Sequence, residues 1–145
     1  MALARIRELD GGSKFRVVRG FPFEGTLFAD LEIAPNATIE FGDPVALDAQ
    51  GRLIKANTAD QAIGFAYGDS DVPNNRASGK ITVLLGAFVA ITQKYNKTQT
   101  YQPGDKLTIK DGQIDKAADG DVVIGRVLRV NAAKGELEFV YKGVD

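Results

Sequence analysis

The sequence predicts a mainly-β fold: a small β-barrel or sandwich built from two similar β-meander repeats, with an extended N-terminal arm. Three observations point there. A block of residues occurs twice, at about 42–66 and 104–127. Short apolar segments separated by turn residues recur at roughly 8–12-residue spacing, the pattern of all-β sandwiches and barrels. Glycine is abundant, at 16 of 145 residues, which suits a chain of many turns. Repetition constrains the architecture most, because a repeated supersecondary unit buries its apolar face against its neighbour.

Residues 1–25 read as an arm, and 26–145 as a single β-barrel domain. Leu3, Ile6 and Leu9 stand three apart, enough for one or two helical turns that are too short to persist alone. Gly11-Gly12 ends that segment. Phe15, Val17 and Val18 mark a short extended piece. Phe21-Pro22-Phe23 follows between Gly20 and Gly25, with Pro22 holding the residue before it extended. From Thr26 the period becomes two: Leu27, Ala29, Leu31 and Ile33 alternate with Thr26, Phe28, Asp30 and Glu32, as in a half-buried strand. Pro35-Asn36-Ala37 then turns the chain, and residues 38–41 lead into the first repeat.

Within each copy the same order recurs. Gly42-Asp43 and Gly104-Asp105 are turns, and Val45-Ala46-Leu47 and Leu107-Thr108-Ile109 are strands. Gln50-Gly51 and Asp111-Gly112 are hairpin turns, where glycine supplies the positive φ of a tight connection. Leu53-Ile54 and Ile114 open the return strands. The next strands, at 62–67 and 122–130, are crossed by Gly64 and Gly125, read as bends at barrel corners. A last matching strand begins at Gly79-Lys80-Ile81 and at Gly135-Glu136-Leu137. Gly86 is expected to kink the central segment 80–91. Residues 68–79 and 93–103 read as long polar loops, and no helix is expected after residue 10. Val45, Leu47, Ile63, Val83, Leu85, Leu107, Ile109, Ile124, Leu137 and Phe139 are the expected core.

Composition restricts the chemistry. The chain has neither cysteine nor histidine, which removes disulfides, zinc sites and Ser-His or Cys-His nucleophile systems. Its three serines, Ser13, Ser70 and Ser78, stand among turn residues. Asp69-Ser70-Asp71 and Asp119-Gly120-Asp121 resemble fragments of calcium loops but lack the further ligands and flanking helices. Gly79-Lys80 is followed by Ile81 and has no glycine five residues earlier, so no phosphate-binding loop is present. No catalytic residues, cofactor or metal are expected, and the chain does not read as an enzyme. No run approaches the roughly 18 apolar residues of a membrane span.

Charge is balanced overall, at 18 basic and 19 acidic residues, but unevenly placed. Residues 1–20 hold Arg5, Arg7, Lys14, Arg16 and Arg19 against Glu8 and Asp10. A basic arm on a mildly acidic body suits an acidic partner surface. Without a basic face on the body, direct nucleic-acid binding is not expected. The expected contact residues are Arg5, Arg7, Phe15, Arg16, Arg19, Phe21 and Phe23, since aromatics and arginine serve as interface anchors. The alternative for Phe21-Pro22-Phe23 is that this segment folds back under the body's own core.

The ordered pattern Gly42-Asp43-Pro44-Val45, Gly51-Arg52-Leu53-Ile54-Lys55-Ala56, Ala62-Ile63-Gly64-Phe65-Ala66, Val83 with Leu85 and Gly86, then Gly104-Asp105 and Ile124-Gly125 resembles tailed-phage capsid cement or decoration proteins. The resemblance covers roughly residues 36–142 and is to the small β-barrel class with an N-terminal arm. It implies a non-catalytic role on the outer face of the virion head, after synthesis in the bacterial cytoplasm. Such a protein bridges major capsid protein subunits as a homotrimer at three-fold and local three-fold positions, against the pressure of packaged DNA. The alternative is a virion β-barrel module that binds carbohydrate or another surface ligand. Tyr67, Tyr95 and Tyr101 with Gln93, Gln99 and Gln102 would form its edge.

Overall fold

The computed structural model describes residues 15–19 and 28–143. Eleven strands and one short helix are formed there: β1 (Phe15–Arg19), β2 (Phe28–Glu32), β3 (Pro44–Leu47), β4 (Leu53–Lys55), β5 (Gly64–Ala66), α1 (Pro73–Ser78), β6 (Lys80–Leu84), β7 (Phe88–Thr92), β8 (Lys106–Lys110), β9 (Gln113–Lys116), β10 (Gly125–Asn131) and β11 (Glu136–Tyr141). They make two antiparallel sheets, one of order β2-β6-β5-β3-β4 and one of order β1-β7-β11-β10-β8-β9. The chain passes from the first to the second at Leu85-Gly86-Ala87, the bend expected at Gly86.

Neither sheet is a closed barrel. Each curls until the chain just beyond β2 or β7 meets the last strand, β4 or β9, at an isolated parallel bridge, Ile33 to Leu53 in the first and Tyr95 to Ile114 in the second. The backbone amides of Ala34 and Asn96 donate to the Leu53 and Ile114 carbonyls, at 2.9 and 2.8 Å. One bridge leaves the strands on either side free to diverge, so the barrel expectation gives way to two curled sheets.

The turns follow from local chemistry. Gly42 and Gly104 adopt φ of 87° and 90°, and Gly51 and Gly112 both 78°. In each sheet an aspartate locks the first turn: Asp43 Oδ2 accepts from the Glu40 amide at 2.9 Å, and Asp105 Oδ2 from the Gln102 amide at 2.8 Å. The next contacts also match. The Gly42 amide donates to the Ala66 carbonyl and Gly104 to Val127, while Ile63 donates to Val45 and Ile124 to Leu107.

Gly64 and Gly125 each open a strand, β5 and β10. A Cβ on Gly64 would fall on the Leu84 carbonyl oxygen, and one on Gly125 on the Val140 carbonyl oxygen. Glycine stands there because the neighbouring strand's backbone lies too close for any side chain.

Helix α1 departs from the expectation of an unbroken polar loop. Pro73 opens it and Gly79, at φ 71°, closes it, the usual placement of these two residues at helix ends. Its six residues are all solvent-facing or half-buried.

Two apolar clusters stabilise the body. The larger lies between the sheets and is aromatic. Phe65 of β5 reaches rings from the other sheet, with centroids at 5.9 Å to Phe15, 5.9 Å to Phe88, 5.8 Å to Phe139 and 5.0 Å to Tyr141. Offset and edge-to-face pairs at such distances contribute about 0.5–1.5 kcal/mol each beyond their area. The smaller cluster is aliphatic and belongs to the five-stranded sheet: Ile39, Val45, Leu53, Ala66, Ile81 and Val83, with Leu31, Ile33, Ile63 and Leu85 half-buried around it.

Of the expected core, Val45, Val83, Leu107, Ile109, Ile124, Leu137 and Phe139 are buried. Ile63 and Leu85 are half-buried, and Leu47 is 44% exposed. Leu47 ends β3 at the rim of its hairpin. Its counterpart Ile109 is buried in the aromatic cluster together with Ala59, and a bridge from Thr58 to Lys110 lays the 57–59 segment across that second hairpin.

Candidate interaction surface

Strand register builds a patterned outer face on the six-stranded sheet. Along β11, Leu137, Phe139 and Tyr141 point into the core, so Glu136, Glu138 and Val140 take the opposite side. Cross-strand pairing then aligns Arg16, Ile91, Glu138 and Arg129 in one row. A second row holds Val89, Val140 and Arg126, continued by the backbone of Arg19. Half-buried Val89, Ile91 and Val140 thus stand on β7 and β11, interspersed with Arg16, Glu138, Arg126 and Arg129.

Among the described side chains, two of the three arginines on this face have a carboxylate beside them, and Arg126 donates to the Gly104 carbonyl at 3.1 Å. Both guanidinium nitrogens of Arg16 donate to Glu136, at 3.1 and 3.5 Å, and Arg129 lies 3.9 Å from Glu138. A shallow cleft of about 330 Å³ is lined by Ile91, Arg129, Val130, Asn131, Glu136 and Glu138. Bulges in β1 after Val17 and in β10 after Val127 push Val18 and Leu128 outward, 48% and 40% exposed. A bulge leaves its extra residue outside the ladder, which explains two apolar side chains in solvent.

A second charged group joins the two sheets. Lys94, just beyond β7, donates to Glu40 at 2.8 Å and to the buried Asp43 at 3.0 Å, and Lys55 lies 3.9 Å from the same Asp43 oxygen. Burial acts to lower the Lys94 pKa, but the hydrogen bonds to Glu40 and Asp43 outweigh it and hold the ammonium above its ordinary value.

The two acidic fragments serve the backbone. Asp69 accepts from the Phe41 amide at 2.7 Å, Ser70 Oγ from the Ile39 amide at 2.9 Å, and Asp71 pairs with Arg76 at 3.1 Å. Asp121 accepts from the Ala118 amide at 2.7 Å and pairs with Lys110 at 3.1 Å. Among the described residues no group of three or more His, Cys, Asp or Glu is placed to hold a metal. No helix among them is long and apolar enough to cross a membrane.

Two of the three tyrosines are buried and Tyr67 is half-buried. Tyr95 and Tyr101 are buried edge-to-face at 5.4 Å, and the Tyr101 hydroxyl donates to the Asn96 carbonyl at 2.8 Å. Burial raises both phenol pKa values, helped by Glu136 for Tyr95 and Asp115 for Tyr101. Tyr67 packs on Phe41 at 4.9 Å. Gln99 and Gln102 are exposed, and Gln93 is half-buried.

The structure redistributes the expected arm residues. Phe15 is fully buried in its own chain, against Phe65 and Phe88, because β1 is the edge strand of a sheet rather than a free extension. Arg16 is engaged by Glu136 of the same chain. The boundary expected at residue 25 therefore moves: residues 15–19 belong to the body. Arg19 is placed by its backbone alone, paired with Val89. Arg5, Arg7, Phe21 and Phe23 lie outside the described residues. Sequence reading missed Val89, Ile91, Arg126, Arg129, Glu136, Glu138 and Val140 as one surface, since their adjacency depends on pairing between distant strands. No protein-family model matches the chain, and no curated protein matches it in sequence.

Proposed function

We propose that this chain is a non-catalytic structural protein that coats the outer face of a tailed-phage head, bridging major capsid protein subunits as a homotrimer. The ordered turn-and-strand pattern of residues 36–142 suggests the class. The observation that carries the reading furthest is the outer face of the six-stranded sheet, where Val89, Ile91 and Val140 stand among arginines and glutamates. Such a face, with apolar and charged groups intermixed, suits a protein contact whose fit depends on electrostatic complementarity. Two sheets joined through one aromatic cluster give it a stiff support.

The matched strand orders and the matched turn hydrogen bonds also support a duplicated unit, each half contributing one curled sheet. Heads assembled from the major capsid protein of the same genome test the function. Added protein is expected to co-sediment with expanded heads and to raise the temperature at which they rupture. The variant Arg126→Glu/Arg129→Glu, both exposed, is expected to bind at least tenfold more weakly at low salt, consistent with screened charge contacts. Absence of co-sedimentation by the unmodified protein overturns the reading.

A further inference from the structure

The two sheets differ at one edge. In the six-stranded sheet the outer edge of β7 carries β1, whose Phe15 and Val17 close the aromatic cluster. In the five-stranded sheet β2 holds the matching place: it pairs with β6 as β7 pairs with β11, and the chain beyond each makes the bridge to the far hairpin. No described strand lies on the outer edge of β2. The aliphatic cluster on that side is correspondingly less finished, with Leu31 and Ile33 only half-buried. Strand β2 also lacks the bulges that interrupt β1 and β10: its five residues pair in unbroken register, Phe28 with Leu84 through Glu32 with Lys80. A regular unbulged edge is a ready template for another strand. Among its described side chains, the exposed ones, Asp30 and Glu32, are both acidic.

We propose that the outer edge of β2 is a strand-acceptor site filled by the N-terminal segment of a second copy of this chain. The edge defines its occupant: apolar side chains to cover Leu31 and Ile33, alternating with cations that face Asp30 and Glu32. On the matching edge, Phe15-Arg16-Val17 has that alternation. The chain repeats it at Ala4-Arg5-Ile6-Arg7, inside the stretch that carries five basic residues against two acidic ones. Strand addition gives affinity through main-chain hydrogen bonds and register through alternate side chains. Donation from each copy to the next is a head-to-tail contact, which closes into a ring where the rotation permits. The inference deepens the oligomer part of the reading above and is independent of the surface that is coated.

The chain's lack of cysteine makes a clean test possible. Full-length single-cysteine copies, Arg5→Cys or Arg7→Cys on one side and Glu32→Cys on the other, are mixed and oxidised. A mixed disulfide joining the N-terminal peptide of one copy to the β2 peptide of another is expected. When both cysteines are placed in one chain, linkage within that chain on dilution overturns the proposal, and so does the absence of any such disulfide in folded protein. In the unsubstituted chain, exchange protection of the β2 amides is expected to rise with protein concentration; concentration-independent protection also overturns it. Arg5→Glu/Arg7→Glu is expected to weaken self-association at least tenfold by light scattering, with Glu32→Arg in the other copy restoring part of it. A protein that coats heads without the cross-link sinks this inference alone, and one that cross-links without coating heads sinks only the capsid reading.

Discussion

At matched places in their pairing schemes the two sheets put different side chains. The cross-strand pair Phe65–Leu84 of the five-stranded sheet corresponds to Arg126–Val140 of the six-stranded one, each beginning one residue after the glycine that lets its neighbour approach. Phe65 and Leu84 are fully buried in the aromatic cluster, whereas Arg126 is exposed and Val140 half-buried. The five-stranded sheet is therefore covered on both faces around β5, Ala66 on one side and Phe65 on the other. Among the described residues, the six-stranded sheet is covered on one face only. Shared backbone wiring fixes which strands are neighbours; side-chain identity at one pair of positions decides whether a second face of the sheet is interior.

The largest expected effect tests that asymmetry. Phe65→Ala removes the ring that touches four others across the two sheets and is expected to cost about 3–5 kcal/mol in denaturant unfolding. Arg126→Ala, at the matched place, is expected to stay within about 0.5 kcal/mol. Equal losses would show that the two faces are covered alike. Phe15→Ala is expected to fall in the same range as Phe65→Ala, because Phe15 is fully buried although it lies in the stretch read as an arm. Removing residues 1–25 is thus expected to destabilise the body, and a truncated chain as stable as the full one would return β1 to the arm.

Next in size are the glycines that the sheets share. Gly64→Ala and Gly125→Ala each drive a methyl group into a carbonyl of the adjacent strand. Each is expected to cost about 1–3 kcal/mol, the usual range for overpacking, with more where the strands cannot separate. Similar losses would sharpen the correspondence between the sheets. A neutral Gly64→Ala would show that the shorter β5 slides where β10 does not.

How far this was legible in the sequence follows from the range of the forces involved. Turn glycines and period-two strands are local, and Gly42, Gly51, Gly104 and Gly112 all take the positive φ their places require. Helix α1 was also locally signalled, by Pro73 and Gly79, but its polar residues hid it in a loop. Phe15 was missed despite a usable sign: Phe15 and Val17 flank Arg16 with the same alternation that marked residues 27–33. The outer face, the Lys94 ion cluster and the burial of Tyr95 and Tyr101 were out of reach. Each depends on which strand lies beside which, and nothing within a few residues of them encodes that.

The smallest expected effect separates the two sheets by their acid response. Asp48 and Asp121 sit in turns of the five- and six-stranded sheets, and both have pKa values below the ordinary 3.8. For Asp48 the chief cause is the Arg52 amide, donated to its carboxylate at 2.9 Å, with the Gln50 amide and the Arg52 guanidinium adding to it. For Asp121 it is the Ala118 amide, supported by Lys110. A carboxylate whose folded pKa is depressed stabilises the fold above its unfolded value, and that contribution is lost as pH falls through the folded one. Unfolding measured from pH 5 down to pH 2 is therefore expected to show a small loss beginning near pH 4 and growing below it. Asp48→Asn and Asp121→Asn should each flatten part of that slope while leaving most of the stability at pH 7 in place, because both turns are solvent-screened. Carboxyl carbon shifts followed by nuclear magnetic resonance assign each titration to its turn. If either carboxylate titrates at or above 3.8, its amide contact does not persist in solution, and the acid sensitivity of that sheet arises elsewhere.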